Sequence, residues 1–477
     1  MRLPVACFLL CSLACSSAPR RGNTVIMASG ADLQSANPLF TTHPLARQIQ
    51  RYALLVTLVR YDSTMAFAPY LARAWEWSAD RSTITFRIFH GLRWHDGAPT
   101  TARDAAWTLN AARDPGTGYP RQADLADLAM ASAPDDTTLV LRFAGPRNAL
   151  PDVLTDLALL PKHLLDTVPP DRLRQAGWNR EPVGNGPFRF VAHEANRRWV
   201  FSANRDFPAE LGGPPLLDRF VVAVVDEPTT KLAALTSGEI DLAGINPAHA
   251  EFVRRNPRLR VLDYPLLFSY MVILNTRRSP FDRLAPRQAL AAAVDRRAVV
   301  DGVLFGFATP ATGPLPPALA GVERPPGEAP PSRSPPGGPK QLPLRFELLT
   351  VGSGEAALEQ LLQSQLAGSG ITANIRQLEL STYLDRVEGP SHQFEAAVLG
   401  MAGDPGLGYL GRILSLSGLA AGGTTDEQLR RIADSLPAVF LYHARGVQGI
   451  NRRIGGIRMD LRGELVTLPR WTVSGAR

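Results

Sequence analysis

Residues 75–110 constrain the fold more than any other stretch of this sequence, because three local signals follow one another there without a gap. Between residues 83 and 88, apolar and polar side chains alternate with the period of a half-buried strand. Residues 95–97, His-Asp-Gly, supply the Asp-Gly pair that tight turns favour. Thr101 and Asp104 then stand in the Thr-x-x-Asp relation of a capping box, which opens a helix. The stretch therefore predicts a strand, a turn and a helix, and it carries nothing catalytic.

The bulk composition indicates a multidomain globular protein. The chain has 477 residues, of which 45% are hydrophobic, so it can build substantial cores and is predicted to form two or three domains. The net charge is +7, but the lysines and arginines are dispersed along the chain. Because no basic run is interleaved with aromatic residues, the sequence gives no sign of a nucleic-acid groove.

All three cysteines lie near the start of the chain, at Cys7, Cys11 and Cys15. A disulfide framework or a cysteine-based zinc site in the folded body is therefore excluded. Arg2 and the apolar residues up to Ala14 are typical of a secretory signal that is too short to span a bilayer.

Catalytic and metal-binding patterns are weak. His90 and His95 lie five residues apart across a turn, and the His193-Glu194 pair lacks the second histidine of a zincin. The sequence contains no Gly-x-Ser-x-Gly elbow from which a hydrolase triad could be assigned. Glu239 and Asp241 are predicted to point to solvent, because they alternate with apolar residues at the start of a strand.

The order of the motifs is more informative than any one of them. Residues 91–97, Gly-Leu-Arg-Trp-His-Asp-Gly, and the Thr-Ala-x-Asp start of the following helix resemble the signature of the peptide and nickel family of extracytoplasmic solute-binding proteins of ABC importers. Residues 184–187, Gly-Asn-Gly-Pro, resemble a second family motif. Further matches lie at residues 204–207, 228–243 and 270–282, so the resemblance extends with gaps from about residue 24 to the end of the chain.

The resemblance implies a mixed α/β, periplasmic-binding-protein-like fold of two lobes with a hinged cleft and an extra N-terminal subdomain. The expected division is a lipoprotein signal peptide at 1–14, a tether at 15–23, domain I at 24–50, 171–265 and 456–477, domain II at 51–170, and domain III at 266–455, which contains a Pro-rich insert at 314–343.

Leu13-Ala-Cys15 resembles a bacterial lipobox, with Cys15 as the lipidated first residue of the mature protein. Two acyl chains on Cys15 would anchor the protein without a transmembrane helix. Ser12 replaces the usual aliphatic residue of a lipobox, so cleavage and release is the competing interpretation. The expected location is the periplasm or cell envelope, at the outer face of the cytoplasmic membrane.

The resemblance also implies ligand-binding positions. In peptide-binding members an acidic side chain of the third domain pairs with the free amino group of the peptide, and Asp404 is the matching residue here. A buried ammonium group needs such a counter-charge. The alternative is that Asp404 merely caps or turns the loop before Pro405. Five further ligand-binding positions are expected: Met401, Ala402, Leu33, Tyr270 and Asn275. Residues 351–354 lack the arginine that dipeptide-specific members use for the peptide carboxylate, so a longer or different ligand is favoured.

Two departures from the family pattern fall in the expected third domain. Residues 314–343 are rich in proline and glycine where the family has a short amphipathic helix. After Leu410 most of one of two family helices is expected to be missing. Both changes put the packing of this domain in doubt.

The sequence therefore predicts a monomeric receptor that captures peptides or similar small solutes by lobe closure and delivers them to an ABC permease with its ATPase subunits. No cofactor, metal, nucleic acid or catalytic residue is expected. The second hypothesis is a degenerate lipoprotein with a structural or signalling role, which predicts an under-packed third domain. The third hypothesis is a secreted peptidase or other hydrolase, which would need a nucleophile or metal set that the sequence does not offer.

Overall fold

A computed structural model describes residues 22–41, 43–317, 319, 344–352 and 356–474. The expected signal peptide, Cys15 and most of the Pro-rich insert lie outside these residues. In the described part the strands are β1 Thr24–Ser29, β2 Val59–Tyr61, β3 Phe67–Pro69, β4 Ala72–Trp77, β5 Thr83–Ile88, β6 Leu128–Ser132, β7 Thr138–Phe143, β8 Phe188–Glu194, β9 Arg198–Ala203, β10 Arg219–Val224, β11 Leu242–Gly244, β12 Leu259–Leu274, β13 Ala308–Pro310, β14 Leu344–Val351, β15 Ile371–Leu378, β16 Ala396–Ala402, β17 Ala438–Asn451, β18 Ile454–Gly455 and β19 Thr472–Val473.

The α-helices of the same part are α1 Pro44–Ile49, α2 Ala102–Arg113, α3 Lys162–Leu165, α4 Pro228–Ser237, α5 Ala250–Arg255, α6 Leu284–Ala293, α7 Arg296–Leu304, α8 Ala357–Gly368, α9 Leu380–Glu388, α10 Tyr409–Ser417 and α11 Thr425–Ser435. None of them is long and apolar enough to cross a membrane.

One eleven-stranded sheet runs through the molecule, in the order β15-β14-β16-β12-β17-β11-β1-β10-β9-β8, and β13 pairs with β17 beside this path. Strands β12 and β17 are far longer than the others, at 16 and 14 residues. They pair with each other along almost their whole length, and the register shifts between Pro265 and Ser269. On one side of this shift lie β11, β1, β10, β9 and β8, and on the other side lie β14, β15 and β16. The two long strands therefore join two lobes, which is the arrangement that a hinge requires. The break falls beside the expected start of domain III at residue 266, and the full domain division stays a prediction.

Residues 72–143 form a separate four-stranded antiparallel sheet, in the order β4-β5-β7-β6, with α2 packed on it. The predicted strand is β5, and the predicted capping box is present, since Thr101 and Asp104 satisfy each other's backbone N–H groups at the start of α2. The local prediction for the most constraining stretch is confirmed.

The sequence predicts a helix over residues 45–61 and another over residues 150–165, and both predictions are wrong. Residues 45–61 were expected to be one helix, but α1 continues only as a single π-turn over Gln50–Leu54, and residues 59–61 form β2. Residues 150–165 contain a 3-10 turn and the four-residue helix α3. Pro151 and Pro161 precede these two short elements, and a proline within a longer helix would remove a hydrogen bond and clash with the previous turn.

The glycines of residues 184–186 allow two backbone segments to touch. The Leu54 carbonyl oxygen accepts hydrogen bonds from the N–H groups of Asn185 at 3.1 Å and Gly186 at 2.9 Å. A Cβ atom at Gly184 or Gly186 would collide with backbone atoms of the segment around Leu54. His95, from the turn of the 91–97 motif, donates its backbone N–H to the Gly184 carbonyl at 2.7 Å. The two family motifs therefore meet, and both hold backbone in place.

The described residues within 266–455, called the third part of the chain below, are well packed. Two clusters of buried apolar residues lie on opposite sides of its sheet, one including Leu290 and Phe346 and the other including Ile413 and Phe440. The expected loss of most of one helix after Leu410 is wrong, because α10 and α11 are both present and in contact. Gly418 ends α10 in a left-handed conformation and makes the tight connection possible.

The expectation for Asp241 is also wrong, whereas Glu239 is exposed as predicted. Asp241 is fully buried just before β11, where strand alternation does not yet apply. Its carboxylate accepts a hydrogen bond from the Ile26 N–H at 2.9 Å and pairs with the guanidinium of Arg453 at 2.7 Å. This ion pair ties β1 to the chain segment that follows β17.

Candidate functional site

A cleft of about 1050 Å³ lies between the two lobes. Its walls come from parts of the chain that are distant in sequence. They comprise residues within 44–70, 121–156, 187–213, 266–267, 402–408 and 460–470. Leu266 and Leu267 belong to β12 at the register shift, so the cleft sits directly over the connection between the lobes. A cleft in this position opens or closes when the two lobes move about a hinge.

The loop 402–408 brings Asp404 to the cleft from the C-terminal end of β16. Its Oδ1 accepts a hydrogen bond from the Gly408 N–H at 3.0 Å, and its Oδ2 accepts one from the Tyr409 N–H at 3.2 Å. Asp404 therefore caps α10, as the alternative interpretation expected, and it also lines the cleft. A carboxylate has lone pairs for more than two donors, so capping leaves it able to accept a further hydrogen bond.

Asp152 faces this loop from the opposite wall. Its carboxylate accepts a hydrogen bond from the Tyr61 hydroxyl and lies against the backbone N–H of Gly406. Burial raises the pKa of Asp152, and the negative charge of Asp404 adds to that increase. Burial and the hydrogen bond to Asp152 also raise the pKa of Tyr61. Two acidic groups and a phenol thus converge at one end of the cleft, an arrangement that suits a cationic group.

Three arginines converge on one carboxylate farther along the same wall. Asp156 pairs with Arg47, with Arg51 at 3.1 Å and with Arg121 at 2.8 Å. Burial by itself would raise the pKa of Asp156, but the surrounding positive charges lower it. Arg121 also pairs with Asp124 at 2.6 Å. This end of the cleft carries more positive than negative charge.

Of the residues predicted near Asp404, Ala402 is exposed and lines the cleft. Met401 is buried in the core of the third part of the chain and does not line it. The two residues are adjacent on β16, and successive strand side chains point to opposite faces. The prediction of Met401 as a cleft residue is therefore corrected by its position in the core.

The remaining predicted ligand residues serve the fold in this structure. Leu33 is 2% exposed and packs in the largest core. Tyr270 stacks on Tyr442 with 4.8 Å between ring centroids. The Asn275 amide donates to the carbonyls of His392 and Phe394, both at 2.9 Å. None of the three lines the cleft in the described part of the molecule, because Leu33 and Asn275 are buried and the Tyr270 ring is taken up by its aromatic neighbours.

Sequence reasoning missed Arg47, Arg51, Arg121 and Asp152. A signal for Arg47 and Arg51 was available in the sequence. Like charges four residues apart on a short helix repel each other, so such a pair indicates that the charges have another role. Arg121 lies in an irregular segment with no periodic pattern to place it, and Asp152 lies in a 3-10 turn where the sequence predicts one longer helix. In the described part of the chain, no group of three or more His, Cys, Asp or Glu residues could hold a metal ion.

Comparison with known proteins identifies the family. Residues 66–418 match the model of the bacterial extracellular solute-binding proteins, family 5, middle region. The match covers well over half of the chain. The chain belongs to this family.

Curated relatives of this family 5 protein are named as peptide-binding proteins. An ABC transporter peptide-binding protein of Brucella ovis is 33% identical over 256 residues, which cover 53% of this chain and 48% of that protein. The chain thus matches about half the length of this relative. The di/tripeptide-binding protein 2 of Pseudomonas aeruginosa is 29% identical over 385 residues, which cover 72% of this chain and 71% of that protein.

Solved structures show the same fold at low sequence identity. The oligopeptide-binding protein AppA of Bacillus subtilis, solved with a nonapeptide, superposes with a TM-score of 0.72 at 20% identity and covers 96% of this chain and 100% of its own. The ABC transporter substrate-binding protein CtaP of Listeria monocytogenes gives a TM-score of 0.79 at 19% identity, with 95% and 100% covered. The predicted mixed α/β fold of two lobes is confirmed.

Proposed function

We propose that this chain is the extracytoplasmic substrate-binding protein of an ABC importer and that it captures peptides by closing its lobes. The observation that carries the proposal is the cleft over the β12–β17 connection, with an acidic loop on one wall and Asp152 on the other. A ligand held there contacts both lobes at once. Binding therefore favours the closed form, which is the form that a permease would recognise.

Peptide chemistry fits this cleft. The free amino group of a peptide is a cation at neutral pH, and the Asp404 carboxylate beside Asp152 supplies the counter-charge that a partly buried ammonium group requires. Asp404 is held in place by its two hydrogen bonds to the start of α10, so little ordering is needed on binding. The peptide-binding relative from Brucella ovis and the di/tripeptide-binding relative from Pseudomonas aeruginosa support the same ligand class.

The test is calorimetric titration of the mature protein with pools of defined dipeptides to pentapeptides. Wild-type protein should bind at least one pool, and Asp404→Asn should weaken that binding by about tenfold or more. Asparagine keeps one oxygen that can accept from the α10 backbone, so the change removes the charge and retains one of the two capping hydrogen bonds. Asp301→Asn is the matched control, because Asp301 is an exposed residue of α7 in the same part of the chain.

Two results would contradict the proposal. The first is that no peptide pool binds to a cooperatively folded wild-type protein. The second is that Asp404→Asn and Asp301→Asn bind with the wild-type affinity, which would leave Asp404 only its role as a helix cap.

The location and anchoring are part of the same proposal. Leu13-Ala-Cys15 supports lipidation of Cys15 and attachment to the outer face of the cytoplasmic membrane. Metabolic labelling with a radioactive fatty acid should mark the wild-type chain and leave Cys15→Ser unmarked. Label retained in the variant would place the acylation at another residue, and label missing from both would favour the released form. We further propose that the protein works as a monomer without catalytic activity, with the permease and ATPase subunits as its partners.

The packing of the third part of the chain does not favour the degenerate-lipoprotein hypothesis. That hypothesis expects an under-packed domain, whereas the described residues there form two buried apolar clusters on either side of the sheet. The hydrolase hypothesis receives no support from the geometry of the cleft, whose charged residues are arginines and aspartates.

A further inference from the structure

The charges that line the cleft are unevenly distributed. Seven arginines and five aspartates face it. Three of the arginines have partners outside the Asp156 cluster: Arg147 pairs with Asp127, Arg462 pairs with Asp460, and Arg470 donates to the Gly212 carbonyl. The other four lie on the same side of the cleft, away from the Asp404 loop.

Within this group the available negative charge is smaller than the positive charge. Arg47, Arg51 and Arg121 share the carboxylate of Asp156, and only Arg121 has a second acidic partner in Asp124. Among the described residues, no carboxylate lies within 4 Å of Arg60, the fourth arginine, whose guanidinium lies 5.2 Å from the centre of the Tyr70 ring. A guanidinium group has five N–H donors, and the single hydrogen bond of Arg47 to Asp156 leaves most of its donors free.

A purely structural ion pair does not require this arrangement. One or two arginines neutralise a buried carboxylate, and adding a third like charge to the cluster is unfavourable. The side chains of Arg47 and Arg121 are 36% and 30% exposed, and both line the cleft, while Asp156 lies below them with 9% exposure. The surplus positive charge therefore faces the space that a ligand would occupy.

We propose that Arg47, Arg51 and Arg121 form a subsite that binds a carboxylate of the ligand. Arginine is suited to this role because its planar donors can grip both oxygens of a carboxylate. The inference rests on the proposed function, since it describes how the same cleft holds the other end of a peptide. It places the arginines away from residues 351–354, where the sequence lacks the arginine that dipeptide-specific members use.

The spacing of the two charged ends suits one ligand that carries both charges. Asp152 and Asp156 lie at the two ends of the same 3-10 turn, which separates them by about 8 Å along its axis. An extended peptide spans about 3.3–3.6 Å per residue, so a single short peptide reaches from one end to the other. The acidic end receives the ammonium group and the arginine end receives the carboxylate.

The experiment compares pools of dipeptides to pentapeptides as free acids with the same pools as C-terminal amides, all with free amino groups. Calorimetry is carried out on wild type, Arg47→Gln and Arg103→Gln. Arg47→Gln leaves Arg51 and Arg121 to pair with Asp156, so the fold is retained. Arg103 is the matched control, an exposed arginine that pairs with Asp136 outside the cleft.

Wild type and Arg103→Gln should bind free acids about tenfold or more tightly than amides, and Arg47→Gln should lose this preference. If amides with acidic side chains bind as well as free acids, and Arg47→Gln loses that binding, the subsite holds a side-chain carboxylate. Peptide binding without preference for a carboxylate, or a preference unchanged in Arg47→Gln, overturns the subsite alone. Binding of no pool overturns the subsite together with the proposed function.

Discussion

Residues 184–186, where the chain crosses the segment around Leu54, are called the crossing below. A Cβ atom added to a glycine of the crossing has a different effect from a Cβ atom added to Gly406 in the cleft loop. At Gly186 a Cβ atom would meet the backbone around Leu54, which the surrounding core holds in place. At Gly406 it would meet the carboxylate of Asp152, the end of a side chain that can rotate away. The crossing is built to fix two segments, whereas the cleft wall meets its opposite wall through groups that can separate.

The largest expected effect is the loss of stability in Gly186→Ala. The added methyl group has no room beside the Leu54 backbone, so the free energy of unfolding should fall by about 4 kcal/mol or more. Urea denaturation followed by circular dichroism measures this change. Gly177→Ala is the matched control, because a Cβ atom at Gly177 would meet nothing within 4 Å. Equal stability of the two variants would mean that the crossing is not tightly packed.

Asp241→Asn tests whether a second fixed point lies in the same lobe. The change leaves Arg453 without its buried partner and should lower the free energy of unfolding by about 3 kcal/mol. Glu239→Gln, an exposed neighbour, should change it by less than about 0.5 kcal/mol. The same urea method measures both variants. If Asp241→Asn lowers the free energy of unfolding as little as Glu239→Gln does, this ion pair does not stabilise the fold.

Acid should weaken the regions that hold the backbone in place. Burial lowers the pKa values of His95 at the crossing and His443 in β17 to about 4, below the ordinary histidine value of about 6.5. The unfolded chain therefore binds more protons between these pH values, and stability falls as the pH falls through this window. The expected loss is on the order of 2 kcal/mol.

Melting temperatures recorded between pH 7 and pH 4 check this prediction. His443→Gln should have a shallower decline than wild type, since one of the two buried histidines is then missing. An identical decline in wild type and variant would show that His443 does not contribute.

The smallest effect is expected for Gly406→Ala, which completes the comparison. Rotation of Asp152 makes room for the methyl group but gives up its hydrogen bond from Tyr61, so the free energy of unfolding should fall by about 1 kcal/mol. Gly422→Ala, at an open position in the same part of the chain, is the control. A cost close to that of Gly186→Ala would mean that the cleft walls are locked together as firmly as the crossing.

Regular local patterns were predictable from the sequence. The alternation over β5 and the capping box of α2 both appear where the sequence places them. Each depends on residues within a few positions of one another. The predicted helices over residues 45–61 and 150–165 failed, because a π-turn, a new strand and two prolines interrupted apolar patterns that resembled longer helices.

The cleft could be predicted only in part. Asp404 and Ala402 line it because they follow a recognisable strand of the third part of the chain. Leu33 and Asn275 were placed by position within a motif, and burial decided their roles instead. The sequence by itself determined the family, the order of the strands and helices in its clearest motifs, and the acidic loop, since these depend on short-range patterns. Only the tertiary structure decided that Arg47, Arg51 and Arg121 gather around Asp156 and that Asp152 faces Asp404, because residues up to several hundred positions apart meet only when the lobes fold together.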